Sequence, residues 1–369
     1  MNILVISTEE YLTLRLLKCL APLDAVVHVF GAGPAIRASR HCQHYKAYSS
    51  SALDHPSAQV YGDIDRYCRQ HAIDVVLPSG MASGFLLADW KVRSGTARVL
   101  PLASVEQLKV LNNKWSFAKL LEQHGLPFPK ARLLQRAEDA CTLDMEYPVI
   151  LKPLELDAGR GVVRCDTPEE VQAHLQRSDV ILPLIVQQYI PGADVGLGLL
   201  ARQGVVVAWS IQRQLPDGTG AEFINHEHIL QIGRRIMSLC QYDGIAHFDM
   251  RLDARDGSAK VLECNPRFWA SLPFCMLAGV NFAALGIRLA LGQPVPEGSY
   301  QTLKVTFPTQ ALRGGVPAWR LSKPSWQALR LSLSDPLPQV CLQAGRLRRK
   351  MQSQFLRNPM PATDQARKF

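Results

Sequence analysis

Short apolar runs alternate with amphipathic stretches over the first hundred residues. NILVIS, AVVHVF and DVVLPSG are apolar and rich in β-branched residues, and each ends in small or turn-forming residues. Between them, EEYLTLRLLKCLAP and YGDIDRYCRQHAI repeat apolar positions at helical spacing. Strands alternating with helices predict βαβ units and a small parallel sheet. GAGPAI, after the second run, reads as a tight turn. It lacks a full G-x-G-x-x-G, follows the second strand and not the first, and has no acidic residue where a ribose partner belongs.

A boundary follows at SVEQLKVLNNKWSFAKLLEQHGLPFP. Ser104 and Gln107 have capping-box spacing, an amphipathic helix runs from about Trp115, and Gly125, Pro127 and Pro129 stop it. The pattern then changes to strand pairs. YPVILKPLELDAGRGVVRC, VILPLIVQQYI and DVGLGLLARQGVVVAWSI read as antiparallel hairpins, interrupted by helices such as TPEEVQAHLQR. The expected architecture is an α/β unit followed by an α+β unit, with no internal repeat.

The 369 residues suit two or three packed units, and 47% hydrophobic with 20% charged residues is an ordinary globular composition. No apolar run approaches the ~20 residues of a spanning helix. MNILVISTEEYL lacks a basic segment before its apolar stretch, so it is expected to be a first strand and not a signal peptide. Nine cysteines without C-x-x-C spacing are expected to be reduced thiols in a cytoplasmic protein. Charge matters once it is located. Residues 301–369 hold 12 Lys/Arg against 2 Asp/Glu, a net +10, so the preceding 300 residues sum to −1. The core domains therefore carry no charge signature of nucleic-acid binding. In the tail, AGRLRRKMQSQFLRNP interleaves basic residues with Leu and Phe. An anionic membrane surface, a protein or nucleic-acid partner, and a plain solvated helix all stay open for it.

The densest chemistry lies in KVLECNPRFWASL. On a strand, Glu263 and Asn265 share one face, with Leu262 and Cys264 on the other. Upstream, ARDGSA is a turn between two strand-like runs, which places Asp249 across a hairpin from Glu263. Asp249, Glu263 and Asn265 then form a hard-oxygen set suited to Mg2+, where a bland reading sees exposed acids on a solvated face. Lys152 sits inside the apolar run ILKP, where an ammonium needs a partner or a phosphate. Gly159 and Gly161 lie in a short loop whose backbone N–H groups can approach phosphate oxygens. Lys114 would add a second cation.

Taken in order, NNKWSFAKLLEQHGLPFP, YPVILKP, DAGRGV, VQQYIPGADVG, GIAHFDMRLDARDG and VLECNPRFWASL resemble the ATP-grasp superfamily. The likeness is to carbamoyl-phosphate synthase large chains and predicted carboxylate–amine ligases, and it runs from roughly Leu108 to Leu285. It implies a Rossmann-like pre-ATP-grasp domain over residues 1–105, a lid subdomain over 106–185, a large subdomain with the metal site over 186–300 and a basic extension over 301–369. It implies that Lys114 and Lys152 contact ATP phosphates under a mobile loop of Gly159, Arg160, Gly161 and Val162. Gln187, Gln188, Tyr189 and Ile190 would form the hinge at the adenine edge, and Asp194 would take the ribose hydroxyls. Asp249, Glu263 and Asn265 would bind one or two Mg2+ ions, or Mn2+, with Arg267 steadying the transferred phosphoryl group. Family members typically carry Glu where Gln187 stands, and an amide oxygen can still accept from the adenine amino group. Arg160 replaces a commoner small residue and reads either as a substrate contact or as a surface arginine. The implied reaction activates a carboxylate as an acyl phosphate and joins it to an amine, with a kinase-like transferase or a non-catalytic ATP-binding module as alternatives. Expected partners are small carboxylates and amines, and a homodimer stays open. Substrate contacts are expected around Arg213, Asn225, His226, His228 and Ser271.

Overall fold

The computed structural model describes residues 1–345 apart from 94–95, 157–158, 297–299 and 314–315. Strands β1 (Asn2–Ser7), β2 (Val26–Gly31), β3 (His44–Ala47), β4 (Val75–Pro78) and β5 (Arg98–Val99) form a parallel sheet in the order β3-β2-β1-β4-β5. Ile3 to Ile6 and Val75 to Leu77 are wholly buried, so both faces of this sheet must be covered. Helices α1 (Glu10–Leu20), α2 (Ala58–Gln70) and α3 (Met81–Arg93) flank these strands in sequence. β3 and β5 carried no sequence signal, because HYKA and RV are short and largely exposed. GAGPAI closes β2 and opens the one-turn helix Pro34–Arg37. The strand order reverses beside β1, and the segments leaving β1 and β4 there carry Thr8, Glu9, Ser79 and Gly80.

The boundary segment folds as two helices, α4 (Val105–Asn112) and α5 (Lys114–Gln123). Ser104 and Gln107 make the expected capping box. Asn113 breaks the run, its side-chain oxygen accepting the N–H groups of Trp115 and Ser116. Beyond it, β6 (Ala131–Leu134), β7 (Val149–Pro153), β8 (Val163–Cys165) and β9 (Leu184–Gln188) form an antiparallel sheet in the order β6-β9-β7-β8. Helix α6 (Pro168–Leu175) contributes Val171 to this sheet's own small core of Leu134, Val149, Leu151 and Val186.

The third sheet is the platform for the site. β10 (Gly192–Arg202), β11 (Val205–Gln214), β12 (Gly220–Phe223), β13 (Gly244–Asp253), β14 (Ala259–Asn265) and β15 (Lys304–Thr306) run in the order β14-β13-β10-β11-β12-β15. Val195, Leu197, Phe248 and Met250 face one way and join Ile229, Ile232 and Ile236 of α7 (Glu227–Cys240) in the core. Phe117 of α5 stacks on Phe248, so α5 is tied to this sheet. Gly196, Gly198, Gln212, His247 and Asp249 occupy the opposite face.

β15 lies beyond the border expected between residues 300 and 301, pairs with β12 and completes the platform. Three residues on a sheet edge are too few to set up a readable period. Helix α8 (Lys323–Leu333) then buries Ser325, Ala328 and Leu329. Asp335 just beyond it accepts hydrogen bonds from the Ser39 hydroxyl and the Arg40 N–H. The described part of the C-terminal region is therefore bound back onto the first domain. The basic stretch of residues 346–369 lies outside the described residues. Among the described residues no helix is long and apolar enough to cross a membrane, and all nine cysteines are unpaired.

Replacing Asp335 by Ala removes both acceptors from a buried position. The expected cost is about 1–3 kcal/mol in urea unfolding, with faster limited proteolysis near α8. An unchanged midpoint would show that this carboxylate does not anchor the segment.

Candidate active site

The hairpin of β13 and β14 sets the site. Its turn is closed by Asp256, which accepts the Ser258 N–H, and by Gly257 in the left-handed region at φ 71°. Asp249 pairs with Glu263 and His247 with Asn265. The register then slips, because Met250 pairs with Val261 and Leu262 is the extra residue of a bulge. Regular alternation put Leu262 on the far face, whereas it lines the cleft with Asp249. Cys264 is buried on the core side, as alternation requires.

Asn265 Nδ2 donates to Asp249 Oδ2 at 2.8 Å, and Arg267 donates to Asn265 Oδ1 at 3.3 Å. The chain turns sharply past Pro266, where the Arg267 N–H meets the Asn265 carbonyl at 2.8 Å. From α5, Lys114 reaches Glu263 Oε2 at 3.3 Å and donates to the Leu156 carbonyl at 2.6 Å. Lys152 of β7 is only 8% exposed. Burial lowers its pKa, opposed chiefly by the charge of Glu263. Burial also works against ionising Glu263, but Lys114 and Lys152 hold its carboxyl below the usual value. Asp249 is pushed the other way by burial and then by the Glu263 carboxylate, although its side chain opens to the cleft. Two carboxylates facing across one rung form a place that a cation relieves.

Among the described residues no group of three or more His, Cys, Asp or Glu could hold a metal. The donor set is instead two carboxylates and one amide oxygen. That set fits Mg2+, which keeps several waters and shares its sphere with phosphate oxygens, and it does not fit an all-protein cage.

The loop between β7 and β8 approaches the same place. Gly159 and Gly161 both have φ 70°. A Cβ at Gly161 would lie 2.7 Å from Pro153, so a side chain there would displace the loop. Val162 donates to the Gly159 carbonyl at 3.2 Å and is exposed. Of the two readings of Arg160, its position favours the first, since it lines a cavity of about 90 Å3 with Lys114, Glu263, Asn265 and Arg267.

On the hinge, Gln187 is buried, and its Oε1 has no hydrogen-bond partner among the described residues. The N–H groups of Gln188 and Tyr189 are taken by the carbonyls of Lys130 and Pro148. Of the three backbone donors only that of Ile190 makes no hydrogen bond among the described residues. Asp194 pairs with Arg251 at 3.1 Å. It lines a cleft of about 360 Å3 that runs past Gly196, Gln212 and Asp249 to Ser271.

Ser271 is therefore in the cleft, where it accepts from Gln212 Nε2 at 2.6 Å. Arg213, Asn225 and His226 are not gathered there. Arg213 pairs across β10 with the core residue Val195, on the face away from Asp249, and is bound to Glu222 at 2.8 Å. Asn225 is exposed, and His226 caps α7 by accepting the Ile229 N–H. His228, in the first turn of α7, is exposed. The cleft holds residues that sequence reasoning missed. His247 is 6% exposed and packs against Trp269 with ring centroids 5.0 Å apart and the rings tilted by 32°. Burial pulls its pKa down to about 3, with the Arg267 charge acting in the same direction. Glu9, in the loop after β1, lines an adjoining cavity with Tyr11, Gly159 and Arg267, and its Oε1 accepts the Met81 N–H at 3.2 Å. The G-x-G of Gly196 and Gly198 within a strand was the available signal for close approach on this face.

Two family models match the chain. A RimK-like ATP-grasp domain matches residues 111–219, and an ATP-grasp model described as belonging to the biosynthetic pathway with the Ter operon matches 181–310. D-aspartate ligase of Enterococcus faecium is 27% identical over 269 residues, covering 64% of this chain and 64% of the ligase. The carbamoyl phosphate synthase large chain of Thermotoga neapolitana is 23% identical over 53% of this chain and 19% of its own length. The chain thus spans less than two thirds of these relatives. The biotin carboxylase domain of Hydrogenobacter thermophilus 2-oxoglutarate carboxylase, solved with MgADP and bicarbonate, superposes with a TM-score of 0.63. It covers 82% of this chain and 72% of that one at 16% identity, which is a likeness of fold.

Trp269 depends on Gly198, because a Cβ there would lie 2.3 Å from its indole ring. Gly198→Val is expected to displace the indole and cost about 1–3 kcal/mol, read by denaturant unfolding and a red shift in tryptophan emission. Unchanged stability and emission would refute this packing.

Proposed function

Because this chain is an ATP-grasp protein, we propose that it is an ATP- and Mg2+-dependent ligase that activates a carboxylate as an acyl phosphate and joins it to an amine. One observation carries the reading. Lys114 from α5, Lys152 from β7 and Arg267 converge on the single carboxylate pair of Asp249 and Glu263. A cationic shell around paired carboxylates suits a metal-bound polyphosphate.

Lys114 and Lys152 bind phosphate oxygens, and the loop of Gly159, Arg160, Gly161 and Val162 closes over them and excludes water. Gln187 Oε1 accepts from the adenine amino group, the Ile190 N–H donates to a ring nitrogen, and Asp194 takes the ribose hydroxyls. Gln188 and Tyr189 shape the hinge through the sheet. One or two Mg2+ ions held by Asp249, Glu263 and Asn265 would neutralise phosphate charge. In the first step a carboxylate oxygen bonds to the γ-phosphorus, the bond to the β–γ bridging oxygen breaks, and ADP leaves. Arg267 steadies the transferred group. In the second step an amine nitrogen bonds to the acyl carbon, the carbon–oxygen bond to phosphate breaks, and the nitrogen loses a proton to give the amide.

A second proposal concerns the C-terminal region, where Trp319 is 84% exposed and Leu333, Leu337 and Val340 are also exposed. Arg313, Arg320, Lys323 and Arg330 lie among them. Aromatic and basic side chains together suit an anionic membrane surface, which the protein would touch peripherally.

Purified protein with Mg2+-ATP and paired carboxylates and amines is expected to release phosphate only when both are present, with the amide found by mass. Asp249→Asn and Glu263→Gln should lower the rate by about 10²-fold or more. Full activity in both would remove the metal assignment, and a phosphorylated product without amide would make the protein a kinase-like transferase. For the second proposal, sedimentation with phosphatidylglycerol vesicles should exceed that with phosphatidylcholine vesicles. It should fall about tenfold when Trp319 and Arg320 are both changed to Ala. Equal sedimentation with both lipids would sink it.

A further inference from the structure

The cleft has two chemically different ends. Lys114, Arg160 and Arg267 line its metal end, whereas the cavity from Asp194 to Ser271 has no lysine or arginine among its lining residues, and Arg267 reaches only the adjoining cavity that shares His247 and Ser271 with it. At that second end stand two buried acceptors, His247 Nε2 and Gln212 Oε1, with no hydrogen-bond partner among the described residues. They are neighbours. A Cβ on Gly196 would lie 2.6 Å from His247 Nε2 and 3.3 Å from Gln212 Nε2, so both side chains overhang one glycine. The Gln212 amide is oriented by its 2.6 Å bond to Ser271 Oγ, which takes one of its two N–H donors, and its carbonyl oxygen has no partner among the described residues. The imidazole turns Nδ1 toward Asp249 Oδ1 at 3.5 Å, and a proton carried on Nδ1 makes Nε2 the accepting nitrogen.

Buried polar atoms in native proteins are nearly always satisfied, and two empty acceptors on neighbouring side chains call for a ligand that brings donors. An amino group brings two or three N–H bonds on one nitrogen. A carboxylate brings none and would face Asp249 as well. Gln212, Gly196 and Asp249 lie on one rung of the platform, so a group held here sits beside the site assigned to phosphoryl transfer.

We propose that His247 Nε2, Gln212 Oε1 and Ser271 form the subsite for the amino group of the amine co-substrate. This rests on the ligase reading above. His247 and Gln212 bind and orient the nitrogen, with Gly196 kept bare so that both side chains reach it. Two further features of the molecule carry less. The buried Lys18 and His41 near Asp335 lie beneath the C-terminal segment and open to no cavity described here, and the acidic cavity lined by Asp54, Asp89, Glu106 and Glu155 has nothing in it that points to a ligand.

The test is calorimetric titration of the full chain saturated with Mg2+ and a non-hydrolysable ATP analogue. Probes are ammonium, glycine and both hands of alanine and aspartate, each amino acid compared with its des-amino partner acetate, propionate or succinate. At least one amino probe should bind about tenfold tighter than its des-amino partner. Gln212→Leu and Ser271→Ala should each weaken that probe about tenfold while nucleotide affinity stays within about twofold. Gln212→Glu keeps an acceptor of the same shape and should hold the probe as tightly as the natural residue or more so. Equal binding of des-amino partners, loss of the probe in Gln212→Glu, or no amino probe bound at all would each overturn the subsite and leave the ATP reading standing. Weakened nucleotide binding in Gln212→Leu would overturn it too, giving the acceptors to the ribose. Failure of the unaltered chain to bind the nucleotide would instead strike the ligase reading itself.

Discussion

Two carboxylates held across one hairpin rung are unfavourable until something positive meets them, and the molecule is assembled around that condition. Asp249 and Glu263 come from the platform sheet, Lys114 from the helix after the first domain, and Lys152 from the smaller sheet. Lys114 also holds the Leu156 carbonyl, which begins the glycine loop. The partition of charge follows from these positions. Lys114 and Lys152 hold the Glu263 carboxyl below its usual value, whereas burial and then the Glu263 charge push that of Asp249 up. A divalent cation would remove the difference between them. Its binding and the approach of the smaller sheet to the platform are then coupled through the same lysines.

The bulge at Leu262 adds shape to this electrostatic frame. A regular ladder would turn Leu262 toward the core beside Cys264. The extra residue brings it onto the cleft face, with its carbonyl 3.5 Å from Gln187 Nε2 on the hinge. An apolar side chain next to a carboxylate pair gives a planar ring a surface to lie on while the phosphates reach the cations. Gly196 and Gly198 do the complementary work on the neighbouring strand, keeping the floor low enough for His247 and Trp269.

The chemistry that the sequence made legible is the part written in strand alternation and in misplaced charge. Asp249 opposite Glu263 followed from a period of two and a turn signal, and Lys152 stood out because it interrupts an apolar run. The same alternation failed at Leu262, since a bulge leaves no mark in composition. Arg213 drew attention as a charge, yet its neutral neighbour Gln212 faces the cleft. A shift of one residue exchanges the two faces of a strand. His247 was silent because a histidine within AHFDM reads as a core residue, and burial alone does not separate the two roles. The separate C-terminal extension was inferred from charge, which says nothing about β15. Its three residues join the platform through backbone hydrogen bonds that any sequence can make.

The distribution of unsatisfied polar atoms gives the last link between fold and chemistry. Gln187 Oε1, Gln212 Oε1, His247 Nε2 and Trp269 Nε1 are buried without hydrogen-bond partners among the described residues, and all four belong to the hinge or the cleft face of one sheet. In a core, such atoms would be replaced by apolar ones or joined to each other, because each lowers stability. They persist here on stiff supports, with Gln187 on a central strand, His247 packed against Trp269, and Gln212 fixed by Ser271. A ligand that supplies donors to the three acceptors and an acceptor to the Trp269 N–H recovers hydrogen bonds that folding left unmade, and little ordering cost is added because the side chains are already held. The other end of the cleft is charged instead, with Lys114, Lys152 and Arg267 gathered on the Asp249–Glu263 pair. Under the proposed assignments, anionic phosphates with a divalent cation would meet that end, and N–H donors of the base and of the separate amine would meet the buried acceptors.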